Sequence, residues 1–245
     1  SSDTDTTPYD SGAYASSTTY TTGNAVKIAA QNMKDSIIKY GAKYFEVEED
    51  EIQFDGKDII CKAKEDKISL QEFSKKITYN MLHTHLVASG SFVPEKAAPP
   101  YMAGFVEVEV DTDTGKVDVV DFVGVVDCGT PINPKLASIQ VEGGIAQGIG
   151  LALYEDVKYD CRGRLITDTF MEYKIPTRRD FKNIRVDLAD GHDETGPYGA
   201  KSIGEVVINT VAPAITDAIE NAVGVRITEL PATPEKVLLG MLDKE

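Results

Sequence analysis

The stretch YMAGFVEVEVDTDTGKVDVVDFVGVVD, residues 101–127, decides the fold class. Apolar and polar residues alternate along both halves, the two-residue period of a strand with one covered face. The DTDTG between the halves carries the Asp and Gly of a hairpin connection. Soon after it, Asn133-Pro134 opens a helical stretch, with Asn133 as cap and Pro134 at the first helical position. That stretch includes QVEGGIAQGIGLALYEDV, with glycines at 143, 144, 148 and 150. Each glycine disfavours a helix by about 1 kcal/mol against alanine, so their clustering implies close approach by another backbone or a ligand.

On the N-terminal side, residues 1–24 are rich in Ser and Thr and read as a loop. The loop feeds a helix over 24–40, where Ala25, Ile28, Ala29, Met33 and Ile37 recur at helical spacing. Thr22 or Asn24 would cap it and Gly41 would stop it. Residues 44–64 read as short strands around a DG turn. A helix follows from Ser69 to Leu82, with Leu70, Phe73, Ile77 and Met81 on one face and a Ser69–Glu72 capping box. LVASGSF (86–92) reads as a strand. On the C-terminal side come an extended FMEYKIP (170–176) and a strand IRVDLAD (184–190). A helix over 206–224 is interrupted near Pro213, and VRITELP (225–231) and a helix PEKVLLGML (234–242) close the chain. Strands and helices alternate irregularly without repeats, so the expected class is α+β with mixed sheets and packed helices.

The length of 245 residues suits one or two domains at roughly 150 residues each, and the pattern divides them as 24–100 and 101–245 with 1–23. Lys and Arg number 25 against 40 Asp and Glu, a formal charge of −15. That balance argues against nucleic acid or an anionic membrane as partner. No uninterrupted run of about 18 apolar residues is visible, and the opening lacks a signal peptide's basic and apolar regions. Cys61, Cys128 and Cys161 are odd in number and widely spaced, which suits reduced thiols in a cytoplasmic protein, with Cys128 structural. His83 and His85 would share a strand face but lack a third metal ligand.

Four places can carry chemistry: the Ser/Thr loop 1–24, the segment Gln140 to Gly150, the loop Gly196 to Glu205, and Asp127-Cys128-Gly129 at a strand end. Hydroxyls and free N–H groups at a helix start suit an anion. There is no nucleophile elbow, Walker loop or zinc signature. Residue patterns alone stop at an α+β protein with a candidate anion-binding loop.

The wording of five segments goes further. They are TDTTPYDSGAYASSTTYTTGNAV (4–26), DCGTPINPKLASIQVEGGIAQGIGLALYE (127–155), GRLITDTFMEYKIPT (163–177), GAKSIGE (199–205) and GVRITELPATPEKVL (224–238). In this order they resemble the C-terminal part of the molybdopterin-binding chain of xanthine oxidase-type molybdenum hydroxylases. The family's chain is much longer, so the resemblance implies a C-terminal piece. It would be either a fragment or a split subunit like the medium molybdopterin subunit of nicotinate dehydrogenase.

The resemblance implies that Glu205 is the general base beside molybdenum, where an ionised carboxylate takes a proton from the oxygen nucleophile. It implies that Gln147, beside Gly144, reaches the pterin, since an amide donates and accepts together. Tyr14, Ala15, Ser16, Ser17 and Thr18 would lie near the pterin dithiolene, with Ser16 and Thr18 contacting pterin or phosphate. Neutral donors of this kind let an acidic chain hold an anionic cofactor. Lys201 would meet an acidic neighbour or the cofactor phosphate. Molybdenum would have no protein ligand, with Ala15 and Glu205 close to it. The implied cofactor is molybdenum–molybdopterin cytosine dinucleotide. A large molybdopterin subunit, a 2Fe–2S subunit and an FAD subunit would be partners. The implied reaction hydroxylates an electron-poor carbon of a nicotinate- or purine-like N-heterocycle. Aldehyde, CO or aromatic acyl-CoA substrates are the family's other options, and a non-catalytic assembly subunit is the rival.

Overall fold

A computed structural model describes residues 5, 9, 12–81, 83 and 85–243. Residues 1–4, 6–8, 10, 11 and Leu82 of the expected elements lie outside the described residues. The chain divides into two compact units, residues 19–95 and residues 96–245 with 1–18.

In the smaller unit, helix α1 (Thr18–Phe45) precedes a three-stranded antiparallel meander of β1 (Ile52–Phe54), β2 (Asp58–Cys61) and β3 (Asp66–Ser69). The Asp55 carboxylate accepts the N–H groups of Lys57 and Asp58 and so closes the DG turn. Helix α2 (Leu70–Lys76) begins at Ser69, whose hydroxyl accepts the Glu72 N–H at 3.2 Å as the capping box requires, and widens into a π turn over Ile77–Met81. Ile37, Phe45, Ile59, Phe73 and Ile77 form the core.

Four expectations here are corrected. The helix starts at Thr18 rather than near residue 24, because Tyr20 and Asn24 are buried on its inner side and Tyr20 packs edge-on against Phe92. Packing of this kind overrides the modest helix penalty of threonine. The helix also continues past Gly41. A Cβ on Gly41 would come 3.0 Å from Ile59 Cγ2, so glycine serves close helix–sheet packing there, not a stop. LVASGSF is not a strand. It runs along α1, where the Asn32 amide donates to Ser89 O at 2.8 Å and Gly90 lies against the backbone of Ala25 and Ala29. His83 and His85 are exposed outside any strand, and no metal-ligand cluster occurs among the described residues.

In the larger unit, β4 (Tyr101–Val110) and β5 (Val117–Asp127) form the expected hairpin, with Asp111 accepting the N–H groups of Asp113 and Thr114 in its turn. Strand β6 (Phe181–Leu188) pairs parallel with β5, giving the order β4-β5-β6. A parallel pair needs a long crossover, and helix α3 (Pro134–Leu153) lies within it. The Asn133 side chain accepts the Leu136 N–H at 3.1 Å, as its place before Pro134 predicts. Helices α4 (Val206–Asn209), α5 (Val211–Val223) and α6 (Pro234–Leu242) complete the unit. Phe122, Val126, Val141, Ile145, Ile149, Val211 and Ile215 form its core between sheet and helices.

Helix α3 is long and apolar enough, by length and composition, to cross a membrane, which a search for an unbroken apolar run misses. Here its inner face is packed in the core. The break in the 206–224 helix falls at Thr210, not at Pro213. Proline clashes with the carbonyl four residues earlier but is tolerated in a first turn, so the helix restarts at Val211 with Pro213 inside that turn. VRITELP runs without regular secondary structure. Val225 is buried, Ile227 packs on the core, and the Ala232 N–H donates to Ala152 O at 2.7 Å. FMEYKIP makes a turn at Thr169–Tyr173, and the Tyr173 hydroxyl donates to the Glu155 carboxylate after the end of α3.

Candidate functional site

One face of α3 builds a wall. Leu136, Ile139, Gln140, Gly143, Gly144 and Gln147 follow the three- and four-residue spacing that keeps side chains on one helix face. Opposite them stand Gly204, Glu205, Val207 and Ile208, and a cavity of about 530 Å³ lies between.

The glycines of α3 divide their work. A Cβ on Gly144 would overlap the Val207 side chain, and one on Gly148 would overlap Val211. These two let α4 and α5 press against the helix. A Cβ on Gly143 would meet nothing within 4 Å, so this residue leaves the cavity wall open. Close packing thus accounts for Gly144 and Gly148, and Gly143 faces open space.

Glu205 precedes α4, its side chain makes no cap hydrogen bond with it, and it is exposed to the cavity side. Its carboxylate is therefore not used as a helix cap. The Gln140 amide donates to Gly204 O at 3.4 Å, joining the two walls. Gly204 also has Ser16 against it: a Cβ there would lie 2.8 Å from Ser16 Oγ. Ala15 (φ 47°) and Ser16 (φ 54°) both take left-handed backbone. The Ser17 N–H and hydroxyl both donate to Tyr14 O, at 3.0 and 2.8 Å, closing the turn. Strained backbone of this sort persists where the surroundings over-determine it.

The structure thus brings Glu205, Gln147 and Gly144 to one cavity and places Ser16 beside Gly204, next to Glu205. Tyr14, Ala15 and Ser17 belong to the same turn as Ser16, and Thr18 begins α1. Of the two partners expected for Lys201, the structure shows the acidic neighbour. The Lys201 ammonium donates to Asp127 Oδ2 at 2.6 Å and its side chain is only 9% exposed. It does not line the cavity. Partial burial pushes the Asp127 carboxyl up, but the Lys201 hydrogen bond, the Gly129 N–H and the Lys201 charge outweigh it and hold the carboxyl below its ordinary range. Burial pushes the Cys128 thiol up, which fits a structural cysteine.

Two participants are expected only as parts of segments, with no role of their own. Gln140 sits seven residues before Gln147 on the same helix face, a spacing visible in the sequence. Asp127 stands 74 residues from Lys201, and no local pattern pairs them.

The cavity is thus a cradle of amides, backbone, one carboxylate and an open glycine wall. The family model of the molybdopterin cofactor-binding domain matches residues 1–182, and the chain belongs to this family, in the xanthine oxidase group of molybdenum hydroxylases. It is similar to "Probable hypoxanthine oxidase XdhD" of Escherichia coli, 36% identical over 98% of this chain and 25% of that protein. It is also similar to the 6-hydroxypseudooxynicotine dehydrogenase complex subunit gamma of Paenarthrobacter nicotinovorans, 30% identical over 96% of this chain and 31% of that one. Among solved structures, quinoline 2-oxidoreductase from Pseudomonas putida superposes with a TM-score of 0.85 at 27% identity, covering 98% of this chain and 32% of that one. The chain therefore spans a quarter to a third of the length of these relatives.

Proposed function

We propose that this chain supplies one wall of the molybdopterin pocket in a molybdenum hydroxylase, with Glu205 as its general base. The observation that carries the reading is the convergence of Glu205, Gln147 and Gly144 on one cavity, with Ser16 beside Gly204.

The residues present fit the pterin. Gly143 leaves open space in the wall, and the Gln140 and Gln147 amides offer both donors and acceptors to a flat polar edge. Among the described residues no lysine or arginine lines the cavity, so this wall suits the neutral pterin rings rather than the phosphates. When bound, the molybdenum centre supplies Lewis acidity and accepts the reducing equivalents. Glu205 would accept the proton of the attacking oxygen at its carboxylate. Gln147 and Gln140 would orient the pterin edge. Leu136, Ile139 and Ile208 would exclude water from one side, and Ser16 would bound the other.

The remaining parts of the reading follow the resemblance. The cofactor form is molybdopterin cytosine dinucleotide. A large molybdopterin subunit closes the pocket, and 2Fe–2S and FAD subunits carry electrons away. The exposed Ile132 (63%), Leu136 (62%) and Ile139 (52%) at the start of α3 support a partner there, since apolar surface in such a cluster marks contact sites. The substrate is an N-heterocycle, nicotinate- or purine-like. Hypoxanthine and quinoline, in the relatives' names, belong to that class.

The test is Glu205→Gln in the native complex. Loss of a positioned base lowers turnover by about 10²–10⁴-fold, with molybdenum content retained. Unchanged turnover would instead identify a non-catalytic, cofactor-carrying subunit.

A further inference from the structure

The five residues from Lys201 to Glu205 have no regular secondary structure, although they deliver Glu205 to the cavity. Their placement depends on anchors at the two ends. Downstream, Val207 packs into the space left by Gly144, and Gln140 holds Gly204 O. Upstream, the chain is clamped to the end of β5. Gly129 and Ala200 form an antiparallel bridge, the Lys201 N–H donates to Cys128 O at 2.8 Å, and the Thr130 N–H donates to Gly199 O at 2.8 Å.

The Lys201 side chain completes this upstream clamp. Its ammonium meets Asp127 Oδ2 at 2.6 Å and lies 5.2 Å from the centre of the Tyr101 ring. Asp127 is the last residue of β5, and Tyr101 is its register partner on β4. The other Asp127 oxygen accepts the Gly129 N–H at 2.9 Å. One carboxylate therefore fixes both strands of the clamp, and the ammonium is held against the sheet.

We infer that Lys201, through its partly buried ion pair with Asp127, is a positioning residue that aims the Glu205 segment at the cavity. This rests on the reading of Glu205 given above, and it assigns Lys201 to the loop instead of the cofactor phosphate. An apolar side chain of equal volume would fill the same space without direction. A charged hydrogen bond to a fixed strand end sets where the backbone of residues 202–205 begins. A shift of about 1 Å in a reacting group costs on the order of 10²-fold in rate, so the clamp need only move slightly to matter.

The experiment uses the native complex carrying Lys201→Met, Lys201→Arg, Asp127→Asn or Glu205→Gln. Amide hydrogen exchange is followed by mass spectrometry. In Lys201→Met and Asp127→Asn, exchange over residues 202–209 rises about tenfold or more, because the segment opens locally, while residues 101–110 and 134–153 exchange as in the parent. Turnover falls by about tenfold or more with KM for substrate unchanged within about threefold, and molybdenum per complex stays at the parent level. Lys201→Arg recovers most of both signals, since it keeps the charge and its hydrogen bond. Parental exchange over 202–209 in both charge-breaking variants would overturn the inference. So would a loss of molybdenum matching the loss of turnover, which would return Lys201 to the cofactor. The exchange signal needs no turnover. If Glu205→Gln works as fast as the parent, the reading of Glu205 fails, and exchange still decides the role of Lys201.

Discussion

The two units use the same materials to opposite ends. In residues 19–95, a helix lies on a small antiparallel sheet, and Gly41 brings the two close enough to seal a core around Ile59 and Phe73, neither of which has any exposure. In the larger unit, a helix lies over a mixed sheet and glycines again allow close contact. There the helix keeps one face sealed and one open. Val141, Ile145 and Ile149 are fully buried, while Leu136, Ile139, Gln140, Gly143 and Gln147 line a cavity. A glycine in a helix contact thus marks either closure or an opening, and the neighbour of its missing Cβ decides which.

The largest expected effect tests the sealed side. Phe73→Ala removes a fully buried ring, and such truncations cost about 3–5 kcal/mol. Chemical denaturation should show this loss with the slope little changed. The second effect tests the sealed half of α3. Gly144→Val places branched carbons where Val207 already sits, an overpacking that costs about 1–3 kcal/mol. It also pushes on the residue two positions after Glu205. Denaturation midpoint and turnover of the native complex should fall together, whereas Phe73→Ala should act chiefly on stability.

The contrast also explains how far the sequence reads. Alternation over 101–127 and the Asn133-Pro134 start are local signals, and the strands and helix fall where they predict. The failures involve partners distant along the chain. Thr18 to Asn24 look like loop because nothing nearby shows that Tyr20 and Asn24 will be buried. LVASGSF has strand-like side chains, but a strand needs a neighbouring edge, and this segment lies on α1. The candidate site is legible mainly through the family wording of 127–155 and 199–205. Spacing alone shows that Gln140, Gly143 and Gln147 share a helix face, but not that Glu205 stands opposite. The ion pair of Asp127 and Lys201, 74 residues apart, leaves no local trace.

That ion pair gives the third effect. Asp127→Asn removes the charge from a hydrogen bond whose carboxylate side remains 31% exposed, so solvent screening limits the loss to about 1–2 kcal/mol. The pH dependence has a definite sign. The Asp127 carboxyl titrates below its ordinary value of 3.8 in the folded chain. Its contribution is therefore complete above that value and disappears as pH falls through the lower folded value. Below about pH 4 the parent should lose stability more steeply than Asp127→Asn, and thermal unfolding across pH 2.5–6 measures the difference.

The smallest effect has the opposite sign and separates opening from closure most directly. Gly143 sits within α3 with nothing within 4 Å of its missing Cβ, so Gly143→Ala meets no steric obstacle in the chain. Alanine in a helix interior is favoured over glycine by about 1 kcal/mol, and the unfolding temperature should rise by a few degrees. The added methyl projects into the proposed pterin wall, so molybdenum and pterin content of the native complex should fall as stability rises. Were Gly143 a packing glycine like Gly41 or Gly144, stability would drop instead. A stabilised variant with parental molybdenum content would show that the pterin lies elsewhere than against this face of α3.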